Sequence, residues 1–170
     1  MNTKNFFSLI IGFLLLTSCS SIQVRTDYDT HTDFSQYKSF AFYKKGIDKA
    51  PISDLDKRRI LRSIETELLA KGMTKSKNPD VLISIFTKAK KQIDVYKTYN
   101  PYYYGPYERQ QITKYTEGTL LIDIIDRNTK KLLWQGVGKG ALSHSSKPEK
   151  REALIQKFVQ EILEEYPPND

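Results

Sequence analysis

Cys19 is the only cysteine in the chain, and it stands directly after Leu16-Thr17-Ser18, a branched residue followed by two small ones. A thiolate is a soft nucleophile, so this cysteine is a candidate acceptor of a covalent modification. Other candidate chemistry is thinner. Asp27, Asp29 and His31 recur at i, i+2 and i+4, a spacing that on a strand puts two carboxylates and an imidazole on one face, as a metal site needs. Further ligands are missing nearby, and a polar edge or turn is the more ordinary explanation of the triplet. Ser143-His144-Ser145 sets a hydroxyl beside a base, but chain neighbours rarely reach triad geometry and no nucleophile elbow is present. Asp123 and Asp126 point to opposite faces of an ideal strand, which disfavours paired-carboxylate chemistry.

The most unusual stretch runs from Tyr96 to Tyr107. It carries Tyr96, Tyr99, Tyr102, Tyr103, Tyr104 and Tyr107, with Asn100, Pro101, Gly105 and Pro106 between them. Tyrosine offers a flat apolar ring and a hydroxyl at low entropic cost, which suits contact with a protein or a sugar. Tyr99, Tyr102, Tyr103, Tyr104 and Tyr107 are therefore the candidate partner-binding residues, against the plainer reading of a compositionally biased hairpin loop. Lys90, Lys91, Lys97 and Arg109 add positive charge nearby.

The segment before Cys19 supplies the context its chemistry requires. Lys4 gives a positive start, and Phe6 to Leu16 is an apolar run of export-signal length, too short to span a bilayer. Leu16-Thr17-Ser18-Cys19 resembles the lipobox of bacterial lipoproteins, which implies a signal peptide over 1–18, palmitate and diacylglyceryl on Cys19, and a tether over 19–30. Ser20 and Ser21 lack the aspartate that retains many lipoproteins in the inner membrane, so the expected address is the outer membrane, facing the periplasm. Two or three acyl chains, at roughly 0.8 kcal/mol per buried methylene, anchor a domain stably.

The rest of the chain is expected to form one domain over 31–170. Hydrophobic content of 39% and charged content of 28% are ordinary for a globular protein, and one cysteine leaves no intramolecular disulfide to hold it. The formal charge is +7. In an exported chain this points to anionic headgroups, phosphates or carboxylates in the envelope rather than to nucleic acid.

Alternation predicts an edge strand over Ile22 to Tyr28, a first main strand over Phe34 to Tyr43, a buried strand over Asp80 to Thr87, and a hairpin of Tyr115 to Asp126 with Lys131 to Gly140. Lys88 to Gln92 should continue the buried strand outward and emerge at an edge. Ser53 is a candidate N-cap ahead of Ile60, Ile64 and Leu68, with Gly72 as C′ residue, and Lys57, Arg58, Arg59 and Arg62 read as solvated. Ser146 or a neighbour should cap a last helix from Pro148, striped by Leu154, Phe158 and Ile162. Gly136, Gly138 and Gly140 share one strand face, a pattern that marks either close backbone approach or a helix lying over the sheet. The order predicts an α+β two-layer sandwich, a mixed and mostly antiparallel sheet with two helices packed on one face. The first strand-helix-strand unit should be a parallel crossover.

With these elements placed, the chain resembles the bacterial lipoprotein family called domain of unknown function 4136, over about Val24 to Pro168. The carriers are Asp27-Tyr28-Asp29, Asp33-Phe34, Tyr37 to Phe42, Glu67-Leu68 with Lys71-Gly72, Pro79 to Ile83, Glu117 to Asp123, and Leu133-Trp134-Gln135-Gly136. The resemblance implies an α+β fold and a lipid anchor, and no catalytic residue. The expectation is a non-enzymatic envelope lipoprotein without cofactor or metal, binding a protein or glycan partner. The alternatives are a small-ligand or lipid carrier, which requires a cavity between sheet and helices, and a hydrolase.

Overall fold

A computed structural model describes residues 22–98, 109–142 and 147–168. Its strands are β1 (Gln23–Tyr28), β2 (Ser39–Phe42), β3 (Thr74–Lys75), β4 (Val81–Thr98), β5 (Arg109–Asp126) and β6 (Leu132–Leu142). They form one six-stranded sheet in the order β1-β6-β5-β4-β2-β3. Only the pairings of β2 with β3 and β4 are parallel. The helices are α1 (Lys44–Ile47), α2 (Asp54–Ala70) and α3 (Pro148–Glu164). The fold is α+β as expected, with β2 and β4 joined by the parallel crossover, and with α1 and β3 as short additions.

One face of the sheet carries the core. Register pairs Ile83 with Ile124 and Ile85 with Ile122, and these side chains are almost wholly buried. The alternate set is wetter: Phe86, which pairs with Leu121 on the other face, is 50% exposed. Strand period two therefore separates the faces as the sequence predicts.

The glycines of β6 explain how the helical layer sits. A Cβ built at Gly136 would stand 2.5 Å from Ile162 Cγ2 and 2.4 Å from the Trp134 ring, and one at Gly138 would stand 2.8 Å from Ile162 Cδ1. Helix α3 thus rests on backbone, and Ile162 occupies the space that side chains would take. At that end of the layer Trp134 meets Tyr166 edge-on, with ring centroids 5.3 Å apart, and Tyr166 meets Phe34 at 5.9 Å. Burial pushes the Tyr166 hydroxyl up to about 12.

Local hydrogen bonding decides where elements stop. The expected strand Phe34 to Tyr43 shrinks to Ser39–Phe42, because Asp33 Oδ1 accepts the Ser35 amide at 2.9 Å and turns Phe34–Gln36 into a 3-10 turn. Asp80 then fixes the start of β2, its Oδ2 accepting the Ser39 amide at 2.8 Å and the Ser39 hydroxyl at 2.7 Å. Ser53 caps α2 as expected, accepting the Asp56 amide at 3.2 Å, and Gly72 follows with a φ of 83°. For α3 the N-cap is Lys147, which makes no side-chain cap bond; Pro148 fills the first turn, where a missing N–H costs nothing. Residues 23–28 form the expected edge strand, inside the span also read as tether, because the outer edge of β6 takes them as an antiparallel partner.

Beyond the core the β4–β5 hairpin continues alone. β2 reaches only Ile83 on β4, and β6 ends where Leu142 meets Thr116 on β5. From Ile93 paired with Lys114 to Thr98 paired with Arg109, the strands pair with no other described strand. At roughly 3.3 Å per residue this ribbon reaches about 20 Å past the sheet.

Replacing Gly136 by alanine should destabilise the fold by about 2 kcal/mol, the cost of overpacking a filled site, measured as a lower urea midpoint at unchanged slope.

Candidate functional site

The helical layer leaves the far end of the core face uncovered, and a pocket of about 210 Å³ lies there. Its position follows from the rows of the sheet. After Ile85, the core-face position on β4 is Thr87, opposite Leu120, and the next is Ala89, opposite Gly118, which in turn faces Gly140. Large side chains give way to small ones, and Leu142 leans over Gly118, where an added Cβ would stand 2.5 Å from its Cδ2. Ile60 from α2, Leu154, Ile155 and Phe158 from α3, Ile52 from the preceding loop and Leu142 from β6 make the apolar walls.

Polar residues break this lining: Thr87, Lys88, Thr119, Asp56 and Arg151. Thr87 is 7% exposed, and its Oγ1 is buried with no hydrogen-bond partner among the described residues. Asp56 and Arg151 belong to an ion-pair cluster shared by α2 and α3. Arg151 Nε donates to Asp56 Oδ1 at 2.8 Å while its Nη2 donates to Oδ2. Arg59 Nη1 donates to Asp56 Oδ1 at 3.0 Å, and Arg59 Nε to Glu152 Oε2 at 3.0 Å. Arg59, expected in solvent, is only 16% exposed in its side chain; the carboxylates of Asp56 and Glu152 draw it between the helices. Burial alone would raise the Asp56 carboxyl, but hydrogen bonds from Arg151, Ser53 and Arg59 outweigh it and hold the group below the ordinary carboxylate range.

The residues singled out from sequence do not meet here. β1 ends at Tyr28, so Asp27, Asp29 and His31 share no strand face. Asp27, within β1, accepts the Tyr28 amide and Asp29 the His31 amide, each at 3.0 Å, the second of these building a turn. Asp123 accepts from Gln135 Nε2 at 2.7 Å, and burial pushes its carboxyl up. Asp126 closes the β5–β6 turn by accepting the Asn128 and Thr129 amides at 2.8 and 2.7 Å. Cys19, Ser143-His144-Ser145, and Tyr99, Tyr102, Tyr103, Tyr104 and Tyr107 lie outside the described residues. Among the described residues no cluster of three or more His, Cys, Asp or Glu side chains could hold a metal, and no helix is long and apolar enough to cross a membrane.

The family model described as Domain of unknown function (DUF4136) matches residues 24–168. The chain belongs to this family. No match was found for this DUF4136 chain among curated proteins. Among solved structures it is similar to a PDZ domain protein from Parabacteroides distasonis, with a TM-score of 0.60 and 19% identity over 99% of this chain. The chain spans 41% of that protein's length, and the likeness is one of fold. More distant likenesses are to PelC from Paraburkholderia phytofirmans, solved as a dodecamer, at a TM-score of 0.47 and 11% identity over 84% of this chain and 94% of that one. A minor lipoprotein from Acinetobacter baumannii follows at 0.43 and 12%, over 76% and 91%.

The ion-pair cluster makes a pH-dependent contribution. Because the folded Asp56 carboxyl titrates below its ordinary value, its stabilisation is complete above the unfolded pKa of about 3.9 and is lost as pH falls through the folded one. Asp56→Ala should cost about 3 kcal/mol at neutral pH by leaving Arg59 without its buried partner. Urea denaturation of both proteins should show that gap narrowing as the pH is lowered below the ordinary carboxylate pKa of about 3.9.

Proposed function

We propose that this DUF4136 chain is a non-enzymatic envelope lipoprotein, tethered through Cys19 at the periplasmic face of the outer membrane, whose β4–β5 hairpin binds an acidic protein partner. The observation that carries this reading is the ribbon that runs on past the sheet. Its backbone edges, which pair with no other described strand, can accept a strand from another protein. Its sequence is strongly basic: Lys88, Lys90, Lys91, Lys97, Arg109 and Lys114 stand against Asp94 alone over 88–98 and 109–116. Lysines along an open edge discourage pairing between identical ribbons while attracting an acidic surface. The tyrosines between the two strands supply aromatic anchors of the kind that dominate binding energy. A lipid anchor at Cys19 places this hairpin within reach of the membrane from which the chain is displayed.

Cells fed an alkynyl fatty acid should label the wild-type protein and leave Cys19→Ala unlabelled. Cross-linking of whole cells before pull-down should then recover a recurring acidic protein. Changing Lys88, Lys90 and Lys91 to glutamate should lower its yield at least tenfold, as should serine at Tyr102, Tyr103 and Tyr104. Recovery of glycan alone, or a partner indifferent to these changes, would contradict the proposal, and label on neither protein would remove the anchor from it.

A further inference from the structure

We propose that the face of the sheet opposite α2 and α3, at the end from which the ribbon leaves, docks on an anionic lipid bilayer. This rests on the anchor at Cys19 in the preceding reading and goes beyond the ribbon's partner, because it concerns the base of the sheet and the membrane itself.

The chain enters the sheet at this end. Gln23, the first residue of β1, pairs with Lys139, which pairs with Thr119, which pairs with Lys88. Cys19 stands four residues before Gln23, so the acylated residue is at most about 14 Å away. The ribbon runs much further. Thr98 lies ten residues beyond Lys88 on β4, about 33 Å at roughly 3.3 Å per residue. A sheet standing upright on the bilayer would drive the outer half of that length into hydrocarbon, and its sequence holds Lys97 and Arg109, which are costly there. The sheet therefore lies with one face toward the lipid.

Charge selects the face. Strand alternation puts Lys88, Lys139 and Gln23 in one row opposite the helices, with Lys90 and Glu117 in the row toward the ribbon and Phe86 and Arg25 in the row behind. Arg25, Lys88, Lys90 and Lys139 are exposed and form no ion pair among the described residues, and Phe86 is half exposed beside them. Four cations against the carboxylate of Glu117 suit anionic headgroups, and the Phe86 ring supplies the apolar contact of an interfacial site. The next row back carries Asp123 and Asp27, and α1 touches the face there at Ser84, so the positive region is confined to the anchored end. On the helical side of that end Arg151 is already paired with Asp56. A bilayer under this face leaves the ribbon's backbone edges, which lie in the plane of the sheet, available to a partner strand.

The mature acylated protein is added to vesicles of phosphatidylcholine, alone or with about one third phosphatidylglycerol to supply the negative surface that attracts Lys and Arg. Flotation confirms attachment, and lysines acetylated by sulfo-N-hydroxysuccinimidyl acetate are mapped by tandem mass spectrometry. Lys88, Lys90 and Lys139 should react at least about threefold more slowly on the anionic vesicles, while Lys71, just after α2, and Lys150, at the start of α3, react equally on both. Arg25→Glu combined with Lys139→Glu should return Lys88 and Lys90 to their rate on neutral vesicles, as should high salt. Both positions are exposed, and circular dichroism melts check that the double variant folds. Equal reactivity on the two vesicles, in protein that floats with them, would overturn the proposal. Protection of Lys150 in place of Lys88 would do so as well, by putting the helical side on the lipid. Protein that failed to float would remove the anchor on which both readings stand, a result distinct from loss of protection in floating protein.

Discussion

The close seat of α3 on β6 governs the arrangement of everything else. Helices ordinarily stand off a sheet by the depth of two layers of side chains, but at Gly136 and Gly138 one layer is missing and Ile162 descends into the gap. Dispersion forces fall off steeply with separation, so contact at this depth fixes the helix in position as well as in height. The aromatic group of Trp134, Tyr166 and Phe34 then closes the same end. Helix α2 packs along α3, and its stripe of Ile60, Ile64 and Leu68 fills the core over the neighbouring strands.

A layer pinned at one end leaves the other to be managed differently. There the sheet offers Ala89, Gly118 and Gly140 instead of large side chains, and no helical residue descends to fill the space. The two helices are joined above it by charge: Asp56 and Arg59 on α2, Arg151 and Glu152 on α3. Such pairs give back much of their Coulombic gain as desolvation, so their effect is chiefly to fix register between the helices. The pocket is therefore bounded on one side by groups that set geometry.

Much of the architecture was legible from residue order because the signals were local and repeated. Alternation located β4, β5 and β6, the four-residue recurrence of Ile60, Ile64 and Leu68 located α2, and the glycine face foretold a helix lying over it. Failures arose where one side chain overrode a pattern, or where a partner lay far along the chain. Asp33 ended an aromatic alternation that read as strand, and Arg59 looked solvated because the charges that hold it include Glu152, distant in sequence. The pocket left the faintest trace. Small residues at 89, 118 and 140 come into one row only once three strands are in register, so no single segment displays it. The anchor at Cys19 and the tyrosine cluster were read from residue type and lie outside the described residues, so the structure adds to them only the ribbon that leads toward the tyrosines.

The dependence of the layer on its glycine seat is tested most directly by a double-mutant cycle between Gly138→Ala and Ile162→Ala, with stability read from urea denaturation. Each change alone destabilises, one by inserting a methyl group under Ile162 and the other by emptying a packed site. If the two side chains compete for one space, the double variant is less damaged than the singles together, by at least about 1 kcal/mol. Strict additivity would mean that α3 does not rest on the glycines, and would contradict the account.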